Sequence, residues 1–184
     1  MINFAANMNA LLRLSLTLSL TSCSALDLDQ RKPEEIDFSG HWVLNSLLSE
    51  GATENSTSPK SVRAADQIRT EGMASADLLD PFVFVSHDFH IIDAVSLTIE
   101  LDPVSAGLSY QPGTYRDVSF RERRRGLWNI YAGWDGEELV ILSRANDLQV
   151  MERMSLVNPN RLRVIVEIQA EKENRDFVKV FDRK

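Results

Sequence analysis

The chain has a single cysteine, Cys23, in 184 residues. Without a second one there is no internal disulfide and no thiolate zinc cage, so the fold is held by its core alone. Histidine is nearly as scarce, at three. His87 and His90 have the spacing that aligns two rings on one face of a helix. Their surroundings read as strand end or loop, so no metal is expected. His41, between Gly40 and Trp42, reads as a surface histidine pointing away from the indole. Also missing are a Gly-x-Ser-x-Gly elbow, a His-Glu-x-x-His helix and a glycine loop for phosphate. Glu137 and Glu138 are neighbours on a strand, so their carboxylates diverge and form no acid/base pair. The expectation is a protein without cofactor that is not an enzyme. Positive charge is in deficit, with 20 Lys and Arg against 27 Asp and Glu and a net charge of −7. An acidic body of this kind repels polyanions, which excludes nucleic acid as a general partner.

What the chain does have is an apolar leader. Residues 4–12 are largely apolar, Arg13 is the only cation, and Leu14-Ser15-Leu16-Thr17-Leu18-Ser19-Leu20 alternates with hydroxyls. The segment is long enough for a signal peptide and too polar for a permanent membrane helix. It ends in Leu20-Thr21-Ser22-Cys23, which resembles the lipobox of bacterial lipoproteins. The resemblance implies a signal peptide over residues 1–22 and lipidation of Cys23, with the membrane as partner through that N-terminal lipid. Ser24 stands where an aspartate is associated with inner-membrane retention, so the resemblance implies an outer-membrane lipoprotein facing the periplasm. Two alternatives stay open: a secretory signal cut after Ala25, giving a soluble secreted or periplasmic protein, and a cytoplasmic protein with an apolar leader. Loss of residues 1–22 removes Arg13 alone and takes the charge from −7 to −8.

Residues 23–37 read as the lipidated cysteine and a flexible tether, since Asp27, Asp29, Glu34, Glu35 and Pro33 make a stretch with little to bury. A second polar region spans 49–76. Within it Val62, Ala65, Ile68 and Met73 recur at helical spacing, and Ser58-Pro59 fits the start of a short helix. Beyond residue 82 the period becomes two: Leu97, Ile99 and Leu101 alternate with polar residues, as do Val118 and Phe120, and Leu162, Val164, Val166 and Ile168. Turn signals such as Asp102-Pro103, Asp135-Gly136 and Asn146-Asp147 separate the runs. Strands are expected near 38–45, 82–87, 93–101, 107–110, 114–121, 126–133, 137–144, 147–157, 161–170 and 175–183. The fold class is therefore all-β, an antiparallel meander of about 8–10 strands over residues 38–184 that closes into a barrel, because closure removes exposed edges.

Phe38-Ser39-Gly40-His41-Trp42 resembles the Gly-x-Trp opening of lipocalin-like bacterial envelope proteins, and Val180-Phe181-Asp182-Arg183 resembles their last strand. The resemblance implies a barrel floor in which Gly40 permits close passage, Trp42 plugs the bottom and Arg183 lies over the indole. The plainer reading of Trp42 is a core tryptophan, of which this is a special case. An open interior would then be lined by Leu97, Ile99, Val118, Phe120, Leu162, Val164 and Val166, and would hold a small apolar or lipid-like ligand. Arg121, Arg123, Arg124 and Arg125 form the one concentrated basic run, set between two expected strands. It suits lipid headgroups or an acidic envelope protein, or else it is a charged hairpin that resists edge pairing. Two functions follow: a ligand-binding lipoprotein, or a structural lipoprotein that serves an envelope assembly without a cavity.

Overall fold

The computed structural model describes residues 26–50, 81–171 and 173–184. Cys23, the signal segment 1–22 and the helix expected within 59–73 lie outside the described residues. Ten strands form one sheet: β1 (Gly40–Leu44), β2 (Ser96–Asp102), β3 (Ser105–Gln111), β4 (Tyr115–Ser119), β5 (Glu122–Arg125), β6 (Trp128–Asp135), β7 (Glu138–Ala145), β8 (Leu148–Asn158), β9 (Arg161–Gln169) and β10 (Asn174–Arg183). The spatial order is β4-β3-β2-β1-β10-β9-β8-β7-β6-β5, and every neighbouring pair is antiparallel. The first and last strands pair with each other, Trp42 opposite Arg183, so the meander curls back on itself. The result is an all-β barrel, closed except between β4 and β5. These two are consecutive in sequence, yet they stand at the two ends of the sheet order and form a seam.

Alternation supplies the inner surface. β9 buries Leu162, Val164, Val166 and Ile168 and turns Arg163 outward, and its neighbours repeat the pattern. Trp42, Trp134, Phe38, Phe120 and Phe181 fill one end of the interior, each at most 2% exposed. Side chains of this size stabilise by roughly 1.5–3 kcal/mol apiece when fully buried.

Three expectations are corrected. Residues 82–87, read as a strand from their Phe and Val content, belong to a helix, α1 (Pro81–Asp88), followed by a 3-10 turn (His90–Ile92). Proline is tolerated in a first helical turn, and the i, i+4 spacing lets Phe84 and Asp88 meet Trp128 together. Tertiary contact thus overrides a weak strand propensity. The basic run, read as the link between two strands, contains a strand of its own, β5, paired with β6 from Glu122 to Arg125. At the end of a sheet neither face has to be apolar, and charge there blocks further pairing. The stretch expected as a flexible spacer is docked. Asp29 exchanges both backbone hydrogen bonds with Trp134 at 2.9 Å, and Lys32 donates through its backbone to Pro103. Asp29 thereby pairs with the part of β6 that β5 leaves open, and Gly133 makes room for it, since a Cβ there would meet the Asp29 carbonyl at 2.6 Å.

Candidate functional site

At the floor, Gly40 has φ +131°, a region that side chains avoid, and a Cβ on it would come within 2.8 Å of Arg183 Nη1. Through that gap the guanidinium reaches the face of Trp42, with Cζ 4.2 Å from the ring centroid. It donates from Nη1 to the Ser39 carbonyl at 2.6 Å and from Nε to the Pro159 carbonyl at 3.0 Å. The indole donates in turn to the Phe38 carbonyl at 2.9 Å. Gly40, Trp42 and Arg183 are thus brought together as one bonded structural group.

The seven residues expected to line a cavity do not do so. Leu97, Ile99, Val118, Phe120, Leu162, Val164 and Val166 are 0–3% exposed and belong to the filled core. Aromatic rings take the volume between the walls: Phe120 meets Trp134 edge-on at 5.8 Å, and Phe38 meets it at 5.4 Å.

The opening is elsewhere, at the other end of β6. A half-open cleft of about 310 Å³ lies over the seam. Its walls are Asp88 and Phe89 from the end of α1, Arg116 from β4, Arg125 with the Gly126-Leu127 turn, Trp128 and Ile130 from β6, and Ser143 from β7. Gly126 makes that turn possible with φ +59°. Trp128 organises the mouth: Phe84 stacks on it at 5.9 Å, Phe89 meets it edge-on at 4.9 Å, and its Nε1 donates to Asp88 Oδ2 at 2.8 Å.

The inner wall is charged. Arg116 is 7% exposed, and its Nη1 donates to Glu152 Oε1 at 2.5 Å across the barrel interior. Nη2 reaches Ser143 Oγ at 3.5 Å, and Phe89 lies beneath the guanidinium at 5.3 Å. Burial, the largest influence, works against the charged guanidinium, but the Glu152 and Tyr110 charges and the hydrogen bonds to both residues together outweigh it and hold the pKa of Arg116 above its ordinary value. Tyr110, on β3, lies in the field of this pair. Burial first and the Glu152 charge second push its phenol up. Among the described residues Glu152 Oε2 is buried without a hydrogen-bond partner, while the Tyr110 phenol interacts with the Arg116 guanidinium. Lys179, on β10, is a further buried charge at 3% exposure. Burial lowers its pKa against the opposing pull of Asp93.

Arg116, Glu152 and Tyr110 were not among the expected site residues, although the signal was present. Arg116 shares parity with Val118 and Phe120, and Glu152 with Val150 and Met154, so each is a charge on an inward-facing row. Of the basic run, Arg121, Arg123, Arg124 and Arg125 are all exposed. Arg123 pairs with Asp117 of β4 across the seam at 2.9 Å, and Arg125 alone borders the cleft. The histidines do not converge: His41 is bonded to Thr98 Oγ1 at 3.0 Å, His87 lies beside Asp88, and His90 packs near Tyr110.

No protein-family model matches the chain, and no curated protein matches it. Among solved structures it is similar to the fluorescent protein UnaG, at 12% identity and a TM-score of 0.45 over 80% of this chain and 97% of that one. It is also similar to a luciferase domain from the dinoflagellate Lingulodinium polyedrum, at 11% identity and a TM-score of 0.49. That match covers 86% of this chain, which spans less than half of the luciferase domain, 45%.

Proposed function

We propose that the protein is a binding protein, without catalytic activity, that holds one small apolar, lipid-like molecule in the seam cleft. The observation that carries this is the cleft itself: an opening of about 310 Å³ with a tryptophan, a phenylalanine and aliphatic side chains on its walls and a few fixed polar groups at its inner end. Ligand sites are built from that mixture, and this volume is at their lower limit. Burying about 300 Å² of apolar surface contributes roughly 7 kcal/mol before the costs of association, hence micromolar affinity at best. Native mass spectrometry of the purified chain should reveal a small apolar passenger, and added medium-chain lipids should alter tryptophan fluorescence in the wild type but much less in Trp128→Phe. A clean apo mass with no response to alcohols, acids or phospholipids would sink the idea.

Anchoring is the second part of the proposal. The resemblance of Leu20-Thr21-Ser22-Cys23 to a lipobox supports a diacylglyceryl-modified Cys23 and an outer-membrane lipoprotein facing the periplasm. Asp29 is held on β6, and six residues span at most about 20 Å, so the anchor keeps the barrel close to the bilayer. A multiply acylated N-terminus stays on membranes, since each buried methylene contributes about 0.8 kcal/mol. Metabolic labelling with an alkyne fatty acid tests this, and an unlabelled native protein rules it out.

A second function, docking to an acidic envelope partner, is favoured by one feature. Arg121 and Arg124 are exposed on a chain of net charge −7, beside Leu127 at 65% exposure. Neither arginine borders the cleft, so reversing both charges should abolish partner capture and leave ligand binding intact if docking is the function.

A further inference from the structure

The walls of the seam cleft carry charged side chains of both signs, Asp88, Arg116 and Arg125. Arg116 is neutralised by Glu152 behind it. Asp88 and Arg125 form no ion pair with each other, nor with any other Asp, Glu, Lys or Arg among the described residues. Trp128 relates the two. It is the cross-strand partner of Arg125, and its Nε1 donates to Asp88 Oδ2 at 2.8 Å. That bond holds the carboxylate at the cleft and leaves its other oxygen beside the His87 ring, 3.3 Å away.

Each charge stands in surroundings that ask for its opposite. Asp88 is the last residue of α1, where a helix presents its unpaired carbonyls and the negative end of its dipole. A carboxylate there adds like charge to like, and a bound cation relieves both. Phe89 and Trp128 line the cleft beside it, and aromatic rings are a surface that suits an alkylammonium. Arg125 offers a planar fork of donors, which matches the oxygens of an acid group. An anion would satisfy Arg125 and meet Asp88 as like charge, and a cation would do the reverse. We propose that the cleft takes a zwitterionic amphiphile, with its ammonium on Asp88 and the Phe89 and Trp128 rings, its acid group on Arg125, and its alkyl part along Leu127 and Ile130. This deepens the reading of the cleft as the site for a lipid-like molecule and rests on it.

Four amphiphiles that share a decyl chain test the head group: a decyl sulfobetaine, decyl sulfate, decyltrimethylammonium and 1-decanol. The full chain is titrated with each in low salt, below micelle formation, and binding is followed by calorimetry. The sulfobetaine should bind about fivefold more tightly than each of the others, the gain from exposed charge contacts and a cation–π contact together. Asp88→Asn keeps an acceptor for the Trp128 indole and should erase the advantage over decyl sulfate. Arg125→Gln should erase the advantage over decyltrimethylammonium. Arg163→Gln, on the outer face of β9, removes the same charge away from the cleft and should alter nothing. Should a variant fail to fold, the wild-type ranking alone still decides. A sulfobetaine bound no more tightly than decanol, or an advantage that survives in both cleft variants, overturns the head-group assignment and leaves the cleft as a site. If none of the four binds the wild type, the cleft is not a site and the assignment falls with it.

Discussion

The two ends of the barrel are built from the same ingredients, an arginine, a tryptophan and phenylalanines, with opposite results. At the floor the arginine comes from the last strand, lies on the indole 4.2 Å away and spends its donors on backbone carbonyls. The carbonyls carry no net charge and belong to the same bonded group. At the seam the arginine comes from β4, points into the interior and is neutralised by a carboxylate on β8. A carboxylate has more acceptor capacity than one guanidinium contact uses, and Oε2 stays open. The difference is in the acceptor. Carbonyl partners produce a plug, whereas the buried carboxylate keeps one acceptor oxygen unpartnered among the described residues.

That contrast predicts where stability is concentrated. Trp42→Ala should cost about 3–5 kcal/mol, as for other large side chains deleted from a core, and Arg183→Ala about 0.5–2 kcal/mol. Denaturant unfolding of the two variants checks the ratio. A Trp42→Ala protein close to wild type in stability would mean that the floor does not hold the barrel.

At the seam the effect depends on which partners remain. Glu152→Leu leaves Arg116 as a buried, unpaired cation and should destabilise by about 3 kcal/mol, since breaking a buried pair exposes the whole desolvation cost of the survivor. The double variant Arg116→Met, Glu152→Leu should recover most of that loss, because an apolar pair of similar volume has no charge to desolvate. Equilibrium unfolding of the single and double variants distinguishes a pair kept for a site from one kept for stability. If the double variant is as unstable as the single, the pair is structural and the comparison with the floor fails.

Much of the barrel was legible. Period-two runs and two-residue turns define β6 to β10 almost as they stand, because a half-buried strand leaves a clear alternation. The Gly40, Trp42 and Arg183 group was named from a resemblance at the chain's two ends. What escaped was set by long-range contact. Residues 82–87 carry strand-like side chains, yet as a helix they place Phe84 against Trp128 and Asp88 where it accepts from the Trp128 indole, a contact 40 residues away in sequence that local patterning does not reveal. β5 has no apolar face to announce it. The cleft was missed for a related reason: alternation identifies which side chains face inward, but not whether they meet. Leu97 and Val164 meet their neighbours and close the core, while the seam stays open because β4 and β5 do not pair. Arg116 was legible by parity alone, as a charge in an apolar row.

The smallest expected effect belongs to the floor's outer rim and sharpens the same comparison through pH. Asp182 receives Arg161 Nε at 2.8 Å and Asn45 Nδ2 at 2.6 Å, and these two hydrogen bonds hold its pKa below the ordinary 3.8. A carboxyl whose pKa is lower in the folded state contributes stability above its unfolded value, and that contribution disappears as pH falls through the folded one. The Asp182 side chain is about two-fifths exposed, at 41%, so screening keeps the contribution small. Melting temperatures of the wild type and Asp182→Asn should therefore differ modestly at pH 7 and converge below pH 3.8, with the variant showing the shallower acid decline. Asp93, facing Lys179, has the opposite shift, raised by burial. Its protonation favours the fold as pH falls, so it cannot account for the acid loss that Asp182→Asn should remove. Identical acid declines in the two proteins would show that the Arg161–Asp182–Asn45 group adds nothing to the floor beyond its packing.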